Sequence, residues 1–197
     1  MAHEKAELIA ALEVLNEAVL VKLDELGEYD LRRPLTPTGT NLLGVVKHLA
    51  SVQVGYFGDV FGRPWPEPVP WLGPDATVNE DMFATADESS EWVRDFYRRS
   101  WAHANETFAV TELDERGTVP WWPQDRRHPT LRTVLVHMTV ETARHAGHLD
   151  IIRELIDGQA GRFTRDPSLP NAEEIDWVAY VARVEAAAQA SHDIGRP

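Results

Sequence analysis

Apolar residues recur in steps of three and four along several long stretches of this chain, which is the spacing that places them on one side of an α-helix. The first stretch consists of Leu8, Leu12, Leu15, Val19, Leu23 and Leu26, and it ends at Gly27. The second follows Thr40, the third follows Asp87, and the fourth begins at Thr130 and ends at Gly158. Thr40 and Thr130 are residues of the type that caps a helix start. The sequence therefore predicts four long amphipathic helices.

A fifth helix is predicted from Asn171, where Asn171 and Glu174 resemble a capping box, and it carries Trp177, Val181 and Val184. Only the stretch GTVPWW, residues 117–122, suggests extended chain, and it predicts at most a brief hairpin arm. Together these elements predict an all-α fold, an up-and-down four-helix bundle with crossover loops and an additional C-terminal helix. The 197 residues suit one core, so we expect a single domain over residues 1–197.

Charge and composition exclude several classes of function. The net charge of −13 repels nucleic acid and anionic membranes, and no basic stripe offsets it. The N-terminal region lacks the basic-then-apolar layout of a signal peptide, and no apolar run is long enough to span a membrane, so we expect a cytoplasmic protein. The chain has no cysteine, so any thiol chemistry must use a thiol from outside.

The fourth predicted helix carries a strip of polar residues on the side that its leucines turn inward. At about 100° per residue, one side of the helix presents the following five residues: His137, Glu141, Arg144, His145 and His148. Leu135, Met138, Leu149 and Ile152 flank this strip. Charged side chains are rarely buried without a partner or a metal, so the strip predicts a functional site.

Glu141 and His145 stand four residues apart and can reach one ion over the same helical turn. His48 on the inward face of the second predicted helix is the candidate third ligand, and this requires the second and fourth helices to be neighbours. Two histidines and one carboxylate suit Zn²⁺, Ni²⁺, Fe²⁺ or Mn²⁺, of which we expect Zn²⁺ first. Taken alone, a histidine on an apolar face is more often a core residue.

For three members of the strip, the sequence is compatible with more than one role. His148, our candidate catalytic residue, could orient a ligand, act as acid or base, or pair with Asp150. His137 could support a ligand or fill a core position through a hydrogen bond. Arg144 could pair with Glu141, meet an anionic substrate or form a surface salt bridge.

Four tryptophans lie outside the helical stripes, Trp65 and Trp71 in the proline-rich segment 62–87 and Trp121 and Trp122 before the fourth helix. The proline-rich segment predicts either an ordered flap or a loop that adds its tryptophans to the core. We expect at least one of the four at the mouth of a pocket. Aromatic walls would favour an apolar or aromatic small molecule over a sugar or a phosphate ester.

The stretches GVVKHLASVQVGYF and TLRTVLVHMTVETARHAGHLDIIRELIDG resemble the DinB-like four-helix-bundle superfamily. They are most similar to its actinobacterial branch that contains the mycothiol-dependent maleylpyruvate isomerases. The resemblance covers most of residues 1 to 160 and does not include the additional C-terminal domain that those isomerases carry. It implies a divalent metal held by His48, Glu141 and His145. At Gln53 many relatives carry an acidic residue.

Two kinds of function remain open at this point. One is a metal-dependent enzyme of the thiol-transferase type, in which the metal activates a low-molecular-weight thiol, mycothiol by the resemblance, or water. The other is a non-catalytic, stress-linked protein that binds a metal or a small molecule with the same three ligands. The resemblance also leaves a homodimer open, because bundles of this superfamily often pair through their helices.

Overall fold

A computed structural model describes residues 2–163, 166–170 and 174–194 of the chain. These residues contain α-helices and short turns of other helical types, and no β-strand occurs within them. The six α-helices are α1 (Ala2–Val21), α2 (Glu28–Arg32), α3 (Leu42–Gln53), α4 (Ser90–Val110), α5 (Leu131–Asp157) and α6 (Trp177–Ile194).

The four long helices α1, α3, α4 and α5 form the predicted bundle. Helix α1 packs on α5, and α3 packs on both α4 and α5. The all-α fold and the contact between the second and fourth predicted helices are thus confirmed. Residues 117–122 form no strand, although Arg116 makes a single antiparallel bridge with Thr130, and the Val119 amide donates to Arg127 O at 2.8 Å.

The helix starts follow side-chain capping. Thr130 caps α5 as predicted, since its side chain accepts a hydrogen bond from the Thr133 amide. The cap of α3 is Asn41, and the predicted cap Thr40 is wrong by one residue. Asn41 Oδ1 accepts from the Gly44 amide at 2.7 Å, while its amide group also donates to Met82 O at 3.2 Å. The asparagine side chain thus satisfies both the start of α3 and the following connection, through its oxygen and its amide group respectively.

Helix α3 is covered on nearly all sides. Leu42, Leu43, Val45, Val46 and Leu49 are fully buried. The helix continues as a π-helical turn, Val54–Gly58, and a 3₁₀ turn, Asp59–Phe61, before Gly62 ends it with a φ of 70°. Such π turns often occur at functional sites because they change the direction of the side chains that follow. Here the turn carries Gly55 and Tyr56.

The first predicted helix is shorter than its apolar stripe. Helix α1 ends at Val21, and a turn containing Glu25, with a φ of 62°, leads to the short helix α2. Lys22, which follows α1, is 2% exposed and forms an ion pair with Asp150 of α5 at 2.8 Å. This interaction favours a turn at the end of the bundle over further helix.

The chain divides into two compact units, Met1–Thr164 and Arg165–Pro197. The bundle belongs to the first and α6 to the second. The predicted capping residue Asn171 lies outside the described residues, and Asp176 Oδ1 accepts from the Ala179 amide at 3.0 Å in the first turn of α6. A single domain over 1–197 remains a prediction. None of the described helices combines the length and apolar character needed to cross a membrane.

Candidate metal centre and its cavity

Glu141 and His145 project from the middle of α5 towards α3. Leu135, Met138 and Leu149 of the same helix are fully buried, and their packing fixes the rotation of α5 about its axis. As neighbours four residues apart, the two polar side chains meet over one turn, with His145 Nε2 at 3.1 Å from Glu141 Oε1. The His145 side chain is 12% exposed and that of Glu141 31% exposed.

His48 joins this pair from α3. Its Nε2 lies 3.5 Å from the same oxygen, Glu141 Oε1, and its ring centroid is 4.8 Å from that of His145. One ligand atom from each of the three residues lies within 4.8 Å of the others. The structure therefore brings together His48, Glu141 and His145, the three residues that the spacing and the resemblance had selected.

Asp81 is a fourth polar residue at this site, and the sequence analysis did not identify it. Its Oδ2 is 2.6 Å from His48 Nδ1. Asp81 stands in a 3₁₀ turn, Glu80–Met82, within the long α3–α4 connection. The acidic stretch NED at residues 79–81 could have suggested a charged partner, but periodicity gives no information on where an irregular segment folds back.

The charges of the site shift the pKa values of its members. Burial acts to lower the pKa of His48, but Asp81 and then Glu141 outweigh it, so this pKa lies above its ordinary value. Burial opposes ionisation of Glu141, yet the charge of His145 and the hydrogen bond from His48 hold the pKa of Glu141 below its usual range. Burial and the charge of His48 lower the pKa of His145. The site therefore accommodates positive charge beside Glu141.

The donor set fits a divalent transition metal. Both histidines direct Nε2 to one carboxylate oxygen, and two imidazoles with one carboxylate form a ligand set typical of such ions. His145 Nδ1 is buried and has no hydrogen-bond partner among the described residues. Nδ1 is on the other side of the ring from Nε2, so an ion at Nε2 would leave it unpaired.

A cavity of about 470 Å³ meets this cluster at Glu141, which is part of its wall. Residues of α3 and its π turn, the α3–α4 connection, the segment before α5 and α5 itself line it: Ser51, Val52, Gly55, Tyr56, Asp59, Leu72, Trp121, His137 and Glu141. A side chain at Gly55 would contact the Trp121 ring, with a Cβ at 3.6 Å. This glycine therefore keeps the space between the π turn and the indole open.

Trp121 confirms the prediction that a tryptophan stands at the pocket. Its indole is 54% exposed and lines the cavity. Trp121 Nε1 and Trp122 Nε1 both donate to the Tyr56 hydroxyl, at 3.1 and 2.9 Å. Trp71 Nε1 donates to Ser51 Oγ at 2.8 Å, whereas Trp65 packs on Phe96 and His103. Trp65 and Trp71 thus extend the core, as the second reading of the connection predicted, and a flap over the cavity remains a prediction.

The other three members of the polar strip on α5 lie in different surroundings. His137 lines the cavity, packs its ring at an angle against Tyr56 and edge-to-face against Trp122, and has its pKa lowered by burial. His148 is exposed, and its ring lies 5.4 Å from that of His145 without lining the cavity. Arg144 is exposed and has no ion pair among the described residues. A catalytic role for His148 remains a prediction.

Gln53, also on α3, bonds to residues of α1 and α4 and not to the cluster of His48, Glu141 and His145. It is fully buried, its Nε2 donates to Asn16 Oδ1, and its Oε1 accepts from Ser100 Oγ at 2.8 Å. An amide provides one donor and one acceptor for these two partners, whereas a carboxylate would provide acceptors alone. This explains why glutamine suits the position in this chain.

Comparison with known families agrees with this geometry. No curated protein gives a significant match to the chain. The mycothiol-S-transferase family model matches residues 7–158, which span α2 to α5 and nearly all of α1, and so include all three clustered residues and the cavity. The chain belongs to the mycothiol S-transferase family, within the DinB-like superfamily.

Proposed function

We propose that this protein is a divalent-metal-dependent transferase that joins mycothiol to a neutral, apolar or aromatic acceptor. The observation that carries the proposal is the convergence of His48, Glu141 and His145 within 4.8 Å at the edge of a cavity that shares Glu141. The family match supports mycothiol as the thiol. A cluster without an adjoining cavity would equally fit passive metal storage.

His48, Glu141 and His145 would hold the metal, with Zn²⁺ as the expected ion. A divalent ion in such a site lowers the pKa of a bound thiol or water, so that a nucleophile forms at neutral pH. Glu141 would offset one of the two positive charges of the ion, and two neutral imidazoles would leave the other in place. Three protein ligands leave room for the thiol.

The nucleophile must come from outside the chain, because the sequence contains no cysteine. In the proposed reaction the mycothiol sulfur loses its proton and forms a bond to an electrophilic carbon of the acceptor. The bond from that carbon to its leaving group breaks, and the leaving group departs with the electron pair. The released proton needs an acceptor close to the cavity.

Two histidines stand close enough to the ligand set to receive this proton. His148 is our candidate, since its ring packs against His145 on the exposed side. His137 is the alternative inside the cavity, where burial lowers its pKa and keeps it neutral at neutral pH. Replacing each in turn by glutamine would show which one changes the rate of product formation.

The cavity wall supports the proposed choice of acceptor. Tyr56, Trp121, Leu72 and Val52 provide aromatic and aliphatic surface, which suits an apolar or aromatic molecule. Asp59 and Glu141 are the acidic members of the wall, and no lysine or arginine among the described residues lines it. An anionic acceptor would therefore meet like charge, and we expect neutral acceptors to react faster.

The experiment is an assay of conjugate formation by mass spectrometry, with metal-loaded protein, mycothiol and a neutral aromatic electrophile. Glu141→Gln is compared with Glu154→Gln, a matched change at an exposed position of the same helix. We expect Glu141→Gln to lose the metal and the activity, and Glu154→Gln to retain both. Metal binding by the wild type without conjugate formation would favour a passive binding protein instead. A cytoplasmic location and a homodimer remain predictions.

A further inference from the structure

We infer that Asp81 is a positioning residue of the metal site, which fixes the tautomer and ring orientation of His48 so that Nε2 is free for the ion. This inference rests on the proposed metal site. It concerns a residue in the irregular α3–α4 connection, far in sequence from α5. Asp81 would act through His48 and would not touch the ion or the substrate.

Asp81 and Glu141 lie at opposite nitrogens of the His48 ring. Asp81 Oδ2 is 2.6 Å from Nδ1, and Glu141 Oε1 is 3.5 Å from Nε2. A neutral imidazole carries one N–H, and an ionised carboxylate can only accept a hydrogen bond. The short contact therefore places the N–H on Nδ1 and leaves the lone pair of Nε2 directed at Glu141 and His145. Both partners are shielded, with His48 17% and Asp81 19% exposed.

The turn that carries Asp81 is fastened to the start of α3. Met82 O accepts from Asn41 Nδ2 at 3.2 Å, and Asn41 is the N-cap of α3. Gly44 allows this approach, because a Cβ there would come within 1.8 Å of Met82 O. The turn thus lies against the helix one turn before His48. These contacts join the Met82 backbone to Asn41 and Gly44, and the Asp81 side chain takes no part in them.

Lys47 fixes the other side of the same turn. Its side chain is 1% exposed, pairs with Glu88 at 2.9 Å and donates to Phe83 O at 3.1 Å. A lysine is buried this fully only where charged and polar partners surround it. Because Asn41, Gly44 and Lys47 hold the segment without Asp81, removing the Asp81 carboxylate should leave the turn in place.

The two histidine ligands differ in this respect. His48 has a carboxylate on its Nδ1, whereas His145 Nδ1 has no partner among the described residues. Metal-binding histidines usually have their second nitrogen held by such a group, and loss of that group typically lowers metal affinity 10- to 100-fold. Asp81 should therefore affect His48 and leave His145 unchanged.

The test compares wild type, Asp81→Ala and the matched control Asp75→Ala. Asp75 lies in the same connection, is exposed, and has no ion pair or hydrogen bond among the described residues. Long-range ¹H–¹⁵N NMR of the metal-free proteins at alkaline pH reports the tautomer of each histidine. We expect the Nδ1–H tautomer at His48 in wild type and Asp75→Ala, and a shift towards Nε2–H in Asp81→Ala, with His145 unchanged.

Competition with a chelator then measures zinc affinity. We expect Asp81→Ala to bind zinc about 10- to 100-fold more weakly than wild type, and Asp75→Ala to bind it equally well. If Asp81→Ala loses its helical spectrum, Asp81→Leu, which has a similar branched shape and no hydrogen-bond acceptor, replaces it, with the same expected directions. An unchanged His48 tautomer together with zinc affinity within about twofold of wild type would overturn the inference. If the wild type binds no divalent metal, the proposed function fails, while the tautomer still decides whether Asp81 orients His48.

Discussion

Helix α3 carries polar residues on two of its sides, and the two groups have opposite character. On the side towards α1 and α4, Gln53 is fully buried and bonds to Asn16 and Ser100, all of them neutral. On the side towards α5, His48 meets Glu141 and His145 in a shielded but charged cluster beside a cavity. The first group is a set of hydrogen bonds between helices, and the second has the composition of a metal-ligand set.

The two groups differ in how their polar atoms are paired more than in how deeply they are buried. Gln53 is the more deeply buried residue, yet both ends of its amide have a partner in the protein. The His48 cluster instead directs two imidazole nitrogens at one carboxylate oxygen and leaves His145 Nδ1 without a partner. Two imidazole nitrogens that converge on one carboxylate oxygen match a metal-ligand set, whereas a completed hydrogen-bond set indicates a structural role.

The largest expected effect comes from removing a member of the charged cluster. His48→Ala, Glu141→Ala and His145→Ala should each weaken metal binding by more than about 100-fold. The bundle should remain helical, because apolar packing holds α3 and α5 in place. Metal content by elemental analysis and far-UV circular dichroism of the same samples check both parts. Full metal occupancy in any one of the three variants would remove that residue from the ligand set.

A change at Gln53, in the neutral group, should lower the stability of the protein and leave its metal content unchanged. Gln53→Ala leaves the buried Asn16 Oδ1 without its donor, which should cost about 1–3 kcal/mol of unfolding free energy, while Ser100 Oγ retains Tyr97 O as a partner. Metal content should stay at the wild-type level. Urea unfolding of the metal-free proteins measures the loss, with the exposed Gln124→Ala as a control. A variant that is equally stable but depleted of metal would mean that the two groups are coupled.

Sequence alone predicted the residues that the helices bring to the charged cluster, but it did not predict which residues the irregular connections add. Periodicity placed His48, Glu141 and His145 on inward faces, because regular helices convert spacing into direction. The position of Asp81, and which of the four candidate tryptophans lines the cavity, depend on how the connecting segments fold back. Contacts between residues far apart in sequence determine that path. The start of α3 at Asn41 likewise depends on Met82 O, a partner from the following connection.

Trp121 tests whether the cavity beside the cluster serves the acceptor. Trp121→Ala should raise the KM for a neutral aromatic acceptor about 3- to 10-fold, since an aromatic contact is worth about 0.5–1.5 kcal/mol. The metal content should not change. Trp92→Ala is the control, an exposed indole on α4 that does not line the cavity. Equal KM values in the two variants would place the acceptor elsewhere.

The smallest expected effect concerns His137, on the cavity wall. Burial holds the pKa of His137 below its ordinary value of 6.5. As the pH falls, this imidazole therefore becomes protonated at a higher pH in the unfolded chain than in the folded protein. Its contribution to stability is therefore present above that value and lost as the pH falls through the folded pKa. His137→Phe, which retains an aromatic ring, should reduce the drop in Tm between about pH 7.5 and 5.5 by at most about 2–4 °C. A drop as large as in wild type would show that other groups control this pH range.

The central claim is that His48, Glu141 and His145 hold a metal to which mycothiol gains access. The most direct measurement is a mycothiol titration of cobalt-substituted protein, followed by visible absorption. We expect about one cobalt ion per chain and a saturable change of the spectrum with mycothiol, with a weaker response to glutathione. The same titration of Gln53→Ala should give the wild-type spectrum. A protein that takes up no cobalt, or a cobalt spectrum that mycothiol leaves unchanged, would contradict the claim.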